Sequence, residues 1–437
     1  MADKRREPRI RNNRKTKKSL NIVPIVTALS VVIIILTGIL AYKSYEERNL
    51  AAREQNKINE RIYVLFEEIN EVAKNLDSEM SEIELEEGKK ESQGEDITIK
   101  IVSVGDIICE TSILEDAYNE ETGEYSFSHM FTDIQRYTLD ADITLGLLET
   151  NFVPDEPISG KGKYNSPKEW GETLRALGID VLHMASNHSL DYGISGVVST
   201  IDFLEELGFA TTGIYKTKAD AEKILIKDIK GIKIAFLSYT YGSNVSLSSV
   251  PESSYCVNII EKEKIKKDIE KAKASEVDFV FVHMHWGKID SGTPNQTQKE
   301  LADFLFANGA DFVLGSHPAS LQPMEVRETE GGQNVFIAYS TGNFISATKY
   351  TNSNIEMILN IEVTKSEKTG ETRLTKVTYV PVYLLDNGKG AEHRYKLLDV
   401  QEELKRYESG NTEYISQSTY KMLNDAINTI EKLIGKE

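Results

Sequence analysis

Apolar runs that end beside polar residues recur along the middle of the chain. An Asp, Glu, Asn or His follows the end of each run within three residues, and the runs are Ile99–Val104, Ile143–Leu148, Val181–Ala185, Phe279–Met284 and Phe312–Leu314. Short runs of this kind are typical of strands that are buried on both faces. Segments of helical periodicity separate them, so the pattern predicts an α/β fold with a largely parallel, buried sheet.

The predicted elements fill a domain at 97–392. Strands are predicted at 98–104, 142–148, 180–185, 232–238, 277–285, 310–314 and 334–340, and helices at 167–177, 194–207, 260–274 and 295–308. Two more strands, at 357–363 and 372–385, have no helix between them and partly alternate, which predicts an antiparallel hairpin closing a second sheet. A helical C-terminal tail is expected at 393–437, and its amphipathic part at 414–434 fits packing on the domain or contact with partners.

A segment near the N-terminus has the length and composition of a membrane span. Residues 22–42 carry no charged side chain, and this length of helix crosses a hydrocarbon core of about 30 Å. The run is long for a signal peptide, has no small-residue cleavage site after it, and lacks the polar face of a core helix. Because the basic residues are concentrated at 1–21, we predict a cytoplasmic tail there, a single-pass anchor at 22–42 in the cell membrane, and an extracellular remainder.

Residues 43–96 are predicted to form a helical stalk and an acidic linker. Apolar residues recur in the stalk at alternating intervals, at Ile58, Ile62, Leu65, Ile69, Val72 and Leu76. This seam fits either a homodimer through residues 58–76 or a single amphipathic helix packed on the domain. Residues 77–96 are acidic and lack aromatic side chains, which is typical of a solvated linker.

Charge and cysteine content exclude several classes of protein. The net charge is −18, and the basic residues of the N-terminal tail make the rest of the chain still more acidic. Nucleic acid is therefore not expected as a partner, because its binding requires a basic surface. The two cysteines, Cys109 and Cys256, have no CxxC spacing, which excludes a disulfide framework or a thiolate zinc site.

The polar residues at the strand ends form a candidate metal site. In open α/β sheets the carboxyl ends of the strands converge on one crevice. The candidate ligands are Asp106, Glu149, Asn187, His285 and His317. Carboxylate, amide and imidazole ligands suit Mn, Fe or Zn, and one or two such ions would lower the pKa of water and stabilise a phosphoryl group. If two ions bind, Glu149 is the better candidate to bridge them.

Further residues are predicted around these ligands. His188, next to Asn187, would remain free as a general acid for the leaving group, and Asp191 would orient and charge it. His283 lies two residues before His285, so on a strand both point to one face and His283 could partly replace a missing ligand. Possible cleft residues besides His283 are Trp286, Ser316, Ser340, Gly342 and Asn343.

Several of these segments together carry a family resemblance. Residues 187–193 read Asn-His-Ser-Leu-Asp-Tyr-Gly and fit an NHxxDYG motif. Supporting matches are Gly105-Asp106, Leu148-Glu149, His285-Trp286-Gly287, Gly315-Ser316-His317-Pro318 and Ser340-Thr341-Gly342-Asn343. Across about 98–345 the chain resembles the CapA (PgsA-type) poly-γ-glutamate capsule synthesis proteins. The resemblance implies a calcineurin-like metallophosphoesterase fold, an αββα sandwich of two facing mixed β-sheets flanked by helices.

The sequence departs from this pattern at two places. Ile107 and Ile108 follow Asp106 where metallophosphoesterases carry Asp-x-His, and Ala319 stands where the family has a second histidine after His317. By the resemblance, both losses fall on the same metal position. One metal position is intact, with Glu149, Asn187, His285 and His317 as its ligands. The other has lost both histidines and keeps only Asp106 and Glu149.

Three functions fit the sequence. The resemblance implies a membrane-anchored, extracellular component of capsule synthesis or export that works with poly-γ-glutamate or a related anionic polymer and with membrane ligase or synthase subunits. A cell-surface phosphoesterase unrelated to capsule would use the same residues as a metal-dependent hydrolase. A non-catalytic scaffold of a polymer-synthesis complex would depend on the stalk and tail instead.

Overall fold

The computed structural model describes residues 96–245 and 255–434. The strands in chain order are β1 (Ile97–Ile107), β2 (Tyr118–Asn119), β3 (Glu124–Tyr125), β4 (Ile143–Leu148), β5 (Ser159–Lys161), β6 (Lys163–Asn165), β7 (Val181–His183), β8 (Ala210–Thr212), β9 (Leu225–Ile229), β10 (Ile232–Thr240), β11 (Phe279–His285), β12 (Phe312–Ser316), β13 (Met324–Glu328), β14 (Asn334–Ala338), β15 (Asn343–Ile345), β16 (Ile355–Lys365), β17 (Thr372–Asp386) and β18 (Tyr395–Asp399).

The helices lie mostly between these strands. In chain order they are α1 (Thr111–Ala117), a 3-10 turn (Ser128–Phe131), α2 (Gln135–Leu139), α3 (Lys168–Ala176), α4 (Gly193–Glu206), α5 (Lys218–Ala221), α6 (Lys262–Ala274), α7 (Gln296–Ala307), α8 (Val400–Glu408) and α9 (Gln417–Ile434). Every strand and helix predicted within 97–392 has a counterpart in the structure, and the ends differ by a few residues.

Most of the strands form two mixed sheets, while β2–β3 and β5–β6 are separate two-stranded hairpins. The first has the order β18-β17-β16-β1-β4-β7-β8, with β15 also pairing with β1. Its β1, β4, β7 and β8 are parallel, and β16 to β18 are antiparallel. The second has the order β13-β14-β12-β11-β10-β9, with a parallel centre and antiparallel edges. The predicted α/β class is thus confirmed.

The two sheets face each other across a shared hydrophobic layer. Ile101 and Leu145 of the first sheet pack in this layer with Phe281 and Phe312 of the second. On the other face of β11, Val280 and Val282 pack against α6 and α7. A strand buried on both faces carries apolar residues at nearly every position, which explains the continuous runs in the sequence.

The C-terminal region differs from the sequence prediction in two respects. The hairpin of β16 and β17 does not close a second sheet: β16 pairs with β1 and extends the first. The predicted boundary at 393 lies just before β18, which continues this sheet, and α9 packs through Leu423 and Ile430 on its Met357 and Tyr383. Residues Gln93–Glu437 form one compact unit.

The predicted tail at 1–21, anchor at 22–42 and stalk within 43–96 lie outside the described residues, apart from Asp96. Within residues 96–245 and 255–434, no helix has both the length and the apolar character needed to cross a membrane. The anchor, the homodimer and the topology therefore stay predictions.

Candidate functional site

The carboxyl ends of strands from both sheets meet at one edge of the layer between them. Asp106 lies at the end of β1, Glu149 follows β4, and His285 is the last residue of β11. One possible ligand atom from each of these three residues lies within 4.8 Å of the other two, and all three side chains are buried. The convergence expected from the strand ends is thus present for residues that lie far apart in sequence.

His285 is held by two polar neighbours. Its Nδ1 lies 2.8 Å from Oγ of Ser316 and its Nε2 lies 2.8 Å from Oδ1 of Asn187. A neutral imidazole carries one N–H, so only one of the two nitrogens donates. When Nδ1 donates to Ser316, Nε2 and the Asn187 oxygen both present lone pairs to the same space. Neighbouring ligands of one cation lie roughly 3 Å apart when their bonds are about 2.1 Å long, so this pair fits a shared cation.

Asp106 lies where the backbone is closely packed. Its Oδ2 accepts the backbone N–H of His317 at 3.0 Å, whereas its Oδ1 has no hydrogen-bond partner among the described residues. A Cβ at Gly105 would lie 2.3 Å from the carbonyl oxygen of Gly342, so only glycine fits there. His317 itself has a φ of +91°, which is unfavourable for a residue with a side chain. The strained backbone aims its N–H at the carboxylate.

The predicted ligands do not all lie equally close to the group of Asp106, Glu149 and His285. Asn187 is joined to His285, but His317 contributes its backbone to Asp106, and its imidazole is not part of the group of three. The His317 ring centroid lies 4.7 Å from that of His285 and 4.7 Å from that of Tyr241. His317 therefore borders the cluster, and its role as a ligand stays a prediction.

Burial shifts the pKa values of these groups in a direction that suits a cation. It raises the pKa of Asp106 to about 7, although hydrogen bonds from His317 and Ser316 oppose the shift. Burial and then the charge of Asp106 raise the pKa of Glu149 well above its usual range. Burial and then nearby histidines hold the pKa of His285 well below its usual value, which keeps this imidazole neutral.

The donor set and its geometry fit a divalent cation. Burial disfavours the ionised form of both carboxyls, a nearby positive charge would favour it, and Asp106 leaves one oxygen unpartnered. Oxygen and imidazole donors without thiolate suit Mn, Fe or Zn, and they do not distinguish among these metals. The residues that would hold one or two such cations are Asp106, Glu149, Asn187 and His285.

His188 and Asp191 form a pair beside this cluster. The His188 Nδ1 lies 2.8 Å from Oδ2 of Asp191, which is buried and also accepts the backbone N–H of Tyr164 at 2.8 Å. The ring of Tyr164 stacks on His188 with centroids 4.1 Å apart. A carboxylate at Nδ1 holds the imidazole so that Nε2 is directed to the reaction partner. The proximity predicted for Asp191 is present, and its catalytic role stays a prediction.

The possible cleft residues separate into two groups. Ser316 contacts His285, Ser340 accepts the N–H of Gly342 at 3.2 Å, and Asn343 pairs with Asp106 across β1 and β15. Trp286, in contrast, packs in the outer hydrophobic layer and donates its ring N–H to the Tyr339 carbonyl at 2.9 Å. Trp286 is therefore a core residue of the outer layer and not a wall of the cleft.

His283 lies deeper than predicted. It is buried between the sheets and its ring stacks on His183 with centroids 4.8 Å apart. The strand does place it on the same face as His285, as period two requires. It is not part of the Asp106 group, so the structure does not support it as a replacement ligand there.

The structure adds residues that the sequence reasoning missed. Tyr164 covers His188, and the amide nitrogen of Asn244 lies 3.3 Å from His188 Nε2. Tyr241 lies over the rings of His285 and His317. Tyr241 and Asn244 follow β10, so the rule that strand ends converge would have found them. Tyr164 lies on the short β5–β6 hairpin, which no pattern of the sequence indicated.

Comparison with known sequences identifies relatives. The sequence model of the family described as "Bacterial capsule synthesis protein PGA_cap" matches residues 100–348. The chain is 27% identical to "Capsule biosynthesis protein CapA" of Bacillus anthracis, over 59% of this chain and 61% of that protein. It is 29% identical to "PGA biosynthesis protein CapA" of Bacillus subtilis (strain 168), over 48% of this chain and 53% of that protein. The alignments thus span between half and two thirds of these curated relatives.

Solved structures with a similar arrangement include phosphoesterases. The NAD nucleotidase of Haemophilus influenzae has a TM-score of 0.43 and 12% identity, covering 78% of this chain and 61% of that one. Calcineurin-like phosphoesterase YfkN from Bacillus subtilis has a TM-score of 0.39 and 14% identity, covering 78% and 99%. The sequence match, which covers more than half of the chain, shows that the protein belongs to the PGA_cap family of bacterial capsule synthesis proteins.

Proposed function

We propose that this PGA_cap protein is a membrane-anchored, extracellular component of poly-γ-glutamate capsule synthesis or export, with a divalent-cation site of the metallophosphoesterase kind. The observation that carries the proposal is that the family match, residues 100–348, contains Asp106, Glu149, Asn187, His285 and His317 together. A polymer that crosses the membrane needs partners on the outer side, which the predicted anchor at 22–42 would supply. Membrane ligase or synthase subunits are the proposed protein partners.

The chemistry of the site follows from its residues. A divalent cation held there would stabilise negative charge on a carboxylate or phosphoryl group of the ligand. His285 remains neutral and is oriented by Ser316, which keeps its lone pair on the cation side. His188 lies beside the cluster and is positioned by Asp191, so that it can hold or deliver a proton at the ligand.

A deletion strain of a capsule-forming host tests the proposal. Loss of the gene should remove surface polyglutamate, and the wild-type chain should restore it. Glu149→Gln should fail to restore it, while the exposed His393→Ala should restore it fully. Unchanged capsule in the deletion strain would refute the capsule role. Full complementation by Asn187→Ala and by His317→Ala would instead support the scaffold function.

A phosphoesterase activity is the second candidate, because the His188–Asp191 pair lies next to the cation cluster. The full-length chain should then release p-nitrophenol from model phosphoesters with Mn, Fe or Zn. His188→Ala should lower the rate by a factor of about 10² to 10⁴, the usual contribution of a general acid. His129, which also lies 3.0 Å from a carboxylate, at Asp116, provides the matched control variant His129→Ala. Absence of turnover with all three metals would exclude this candidate.

The number of ions is a separate measurement. Metal analysis of the purified full-length chain should find one tightly held ion per chain if the position resting on Asp106 is the weaker one. Two ions would show that Asp106, with its unpartnered Oδ1, completes a second position.

A further inference from the structure

A cavity of about 370 Å³ lies beside the candidate site. It is formed by the β5–β6 hairpin, the first residues of α1 and the loop that follows β15. Its lining is mostly polar and includes Thr111, Ser112, Glu115, Lys161, Tyr164 and Thr348. None of the residues of the proposed cation site lines this cavity.

Tyr164 is shared by the cavity and the candidate site. Its side chain lines the cavity, its ring stacks on His188, and its backbone N–H donates to Asp191. A ligand in the cavity that touches this ring is therefore separated from His188 by the thickness of one aromatic side chain. The cavity is placed to hold a part of the ligand that extends beyond the reacting group.

The β5–β6 hairpin is held against both the candidate site and the start of α1. The side-chain amide of Asn151 donates to the carbonyl of His188 at 3.0 Å and to that of Tyr164 at 3.3 Å. On the other side, a Cβ at Gly160 would lie 2.2 Å from the backbone nitrogen of Thr111, so only glycine lets the hairpin rest on the start of α1. The distance between the cavity and His188 is thus set by backbone contacts.

The cavity offers a free cation in an acidic protein. The exposed Lys161 ammonium forms no salt bridge with any residue in the described part of the chain. Glu110, also in the lining, is buried and already accepts from Ser346 Oγ at 2.7 Å and from the N–H of Ala347 at 2.6 Å. What remains for a ligand is one ammonium, the hydroxyl of Thr111 and the exposed carboxylate of Glu115. The hydroxyls of Ser112 and Thr348 already pair with Tyr395 and Ser346 inside the protein, and each oxygen keeps a lone pair that can accept from a ligand.

We infer that this cavity is a subsite for a segment of an amide-linked, carboxylate-bearing polymer, with Lys161 as the residue that binds a polymer carboxylate. The substrate class rests on the function proposed above. The mixed lining favours such a chain, since Lys161 pairs with a carboxylate while the hydroxyls and Glu115 accept amide N–H groups. A polyphosphate has acceptors only, and it would bring its charge against Glu110 and Glu115 with one ammonium to offset them.

Binding of fluorescent oligo-γ-glutamate to the full-length chain tests this inference. Fluorescence anisotropy is measured at about 0.15 M salt, where screening limits charge effects to roughly 8 Å. Lys161→Gln should weaken binding about two- to fivefold, as expected for one solvent-exposed ion pair. Lys163→Gln is the matched control: Lys163 lies on the same hairpin but outside the cavity, with Nζ 5.1 Å from the centroid of the Tyr192 ring.

The outcomes separate this inference from the proposed function. Weaker binding for Lys161→Gln alone supports the subsite. Equal weakening by both variants would mean that the oligomer is attracted by the general charge of the hairpin, and it would overturn the subsite. Unchanged binding for Lys161→Gln would overturn the subsite as well. Polyphosphate that competes more strongly than unlabelled oligo-γ-glutamate, in a Lys161-dependent way, overturns the substrate class. If the oligomer does not bind while the chain restores capsule in the deletion strain, the subsite fails and the proposed function stands.

Discussion

The layer between the two sheets has an apolar end and a polar end, and the same strands contribute side chains to both. On one face, β11 carries Phe279 and Phe281, then His283 and His285. The Phe281 ring stacks on Phe312 at 4.2 Å in an apolar layer. His285, four residues further on, is equally buried but has polar partners at both ring nitrogens. Burial alone therefore does not determine whether a residue packs in the core or takes part in the polar cluster. The side chains at the neighbouring strand ends determine it.

His283 shows the transition between these two ends. It stacks on His183 instead of a polar group, and neither its Nδ1 nor either ring nitrogen of His183 has a partner among the described residues. Burial lowers the pKa of both imidazoles, so they are neutral at physiological pH. The apolar end stabilises the sandwich, the polar end provides chemistry, and the histidine pair between them packs as an apolar group.

The largest effect is expected from the apolar end. Phe281→Ala removes a buried ring and should lower the free energy of unfolding by about 3–5 kcal/mol. Urea denaturation would measure it. The cation affinity of the folded variant should be unchanged, because the ligands lie at the other end of the layer. A parallel loss of cation affinity would show that the two ends are not separable.

The next effect concerns the polar end. A bound divalent cation at a hundred times its Kd should raise the free energy of unfolding by about 2.7 kcal/mol. Glu149→Gln should abolish this increase, and without the cation the variant should be at least as stable as the wild type, since burial already disfavours the Glu149 carboxylate. Thermal denaturation with and without Mn²⁺ would measure both. Glu115→Gln, at an exposed carboxylate, should retain the full increase.

The histidine pair is tested by pH. Burial holds the pKa of His183 at about 3, whereas an unfolded chain has a value near 6.5. The unfolded state therefore binds more protons below pH 6.5, and stability falls as the pH drops, by about 1.4 kcal/mol per pH unit for one such group. His183→Leu should remove this contribution to the slope of the free energy of unfolding against pH between pH 6.5 and 5.

Buried acidic groups with raised pKa values make stability rise as the pH drops, which is opposite to the effect of His183. They are present in both the wild type and His183→Leu, so the difference between the two slopes isolates the contribution of His183. If His183→Leu keeps the wild-type slope, the imidazole is protonated within the folded protein.

The smallest effect is expected from the residue that orients His285. Ser316→Ala removes the contact to Nδ1 and should weaken cation binding at least about tenfold, or roughly 1.4 kcal/mol. Calorimetric titration with Mn²⁺ would measure it. Ser320→Ala, at another buried serine four residues further along the chain, should change the affinity little. Equal losses in both variants would point to a general packing effect.

Much of the site could be predicted from local patterns. Asp106, Glu149 and His285 each end a recognisable apolar run, and strand ends converge in this class of fold. The position of Trp286 was also open to prediction: consecutive residues on a strand point to opposite faces, so a cleft position for His285 directs Trp286 outward. The hairpin of β16 and β17 was recognised, but its place beside β1 depends on long-range pairing that periodicity does not encode.

The sequence by itself determined the type and order of the main strands and helices of the domain, because buried strands and amphipathic helices leave a period in the chain. It also determined which side chains stand at the strand ends. The tertiary structure decided which of them meet: His317 contributes its backbone N–H to Asp106, and a short hairpin brings Tyr164 onto His188. Such contacts join residues through sheet packing and backbone geometry, and neither leaves a periodic signal in the sequence.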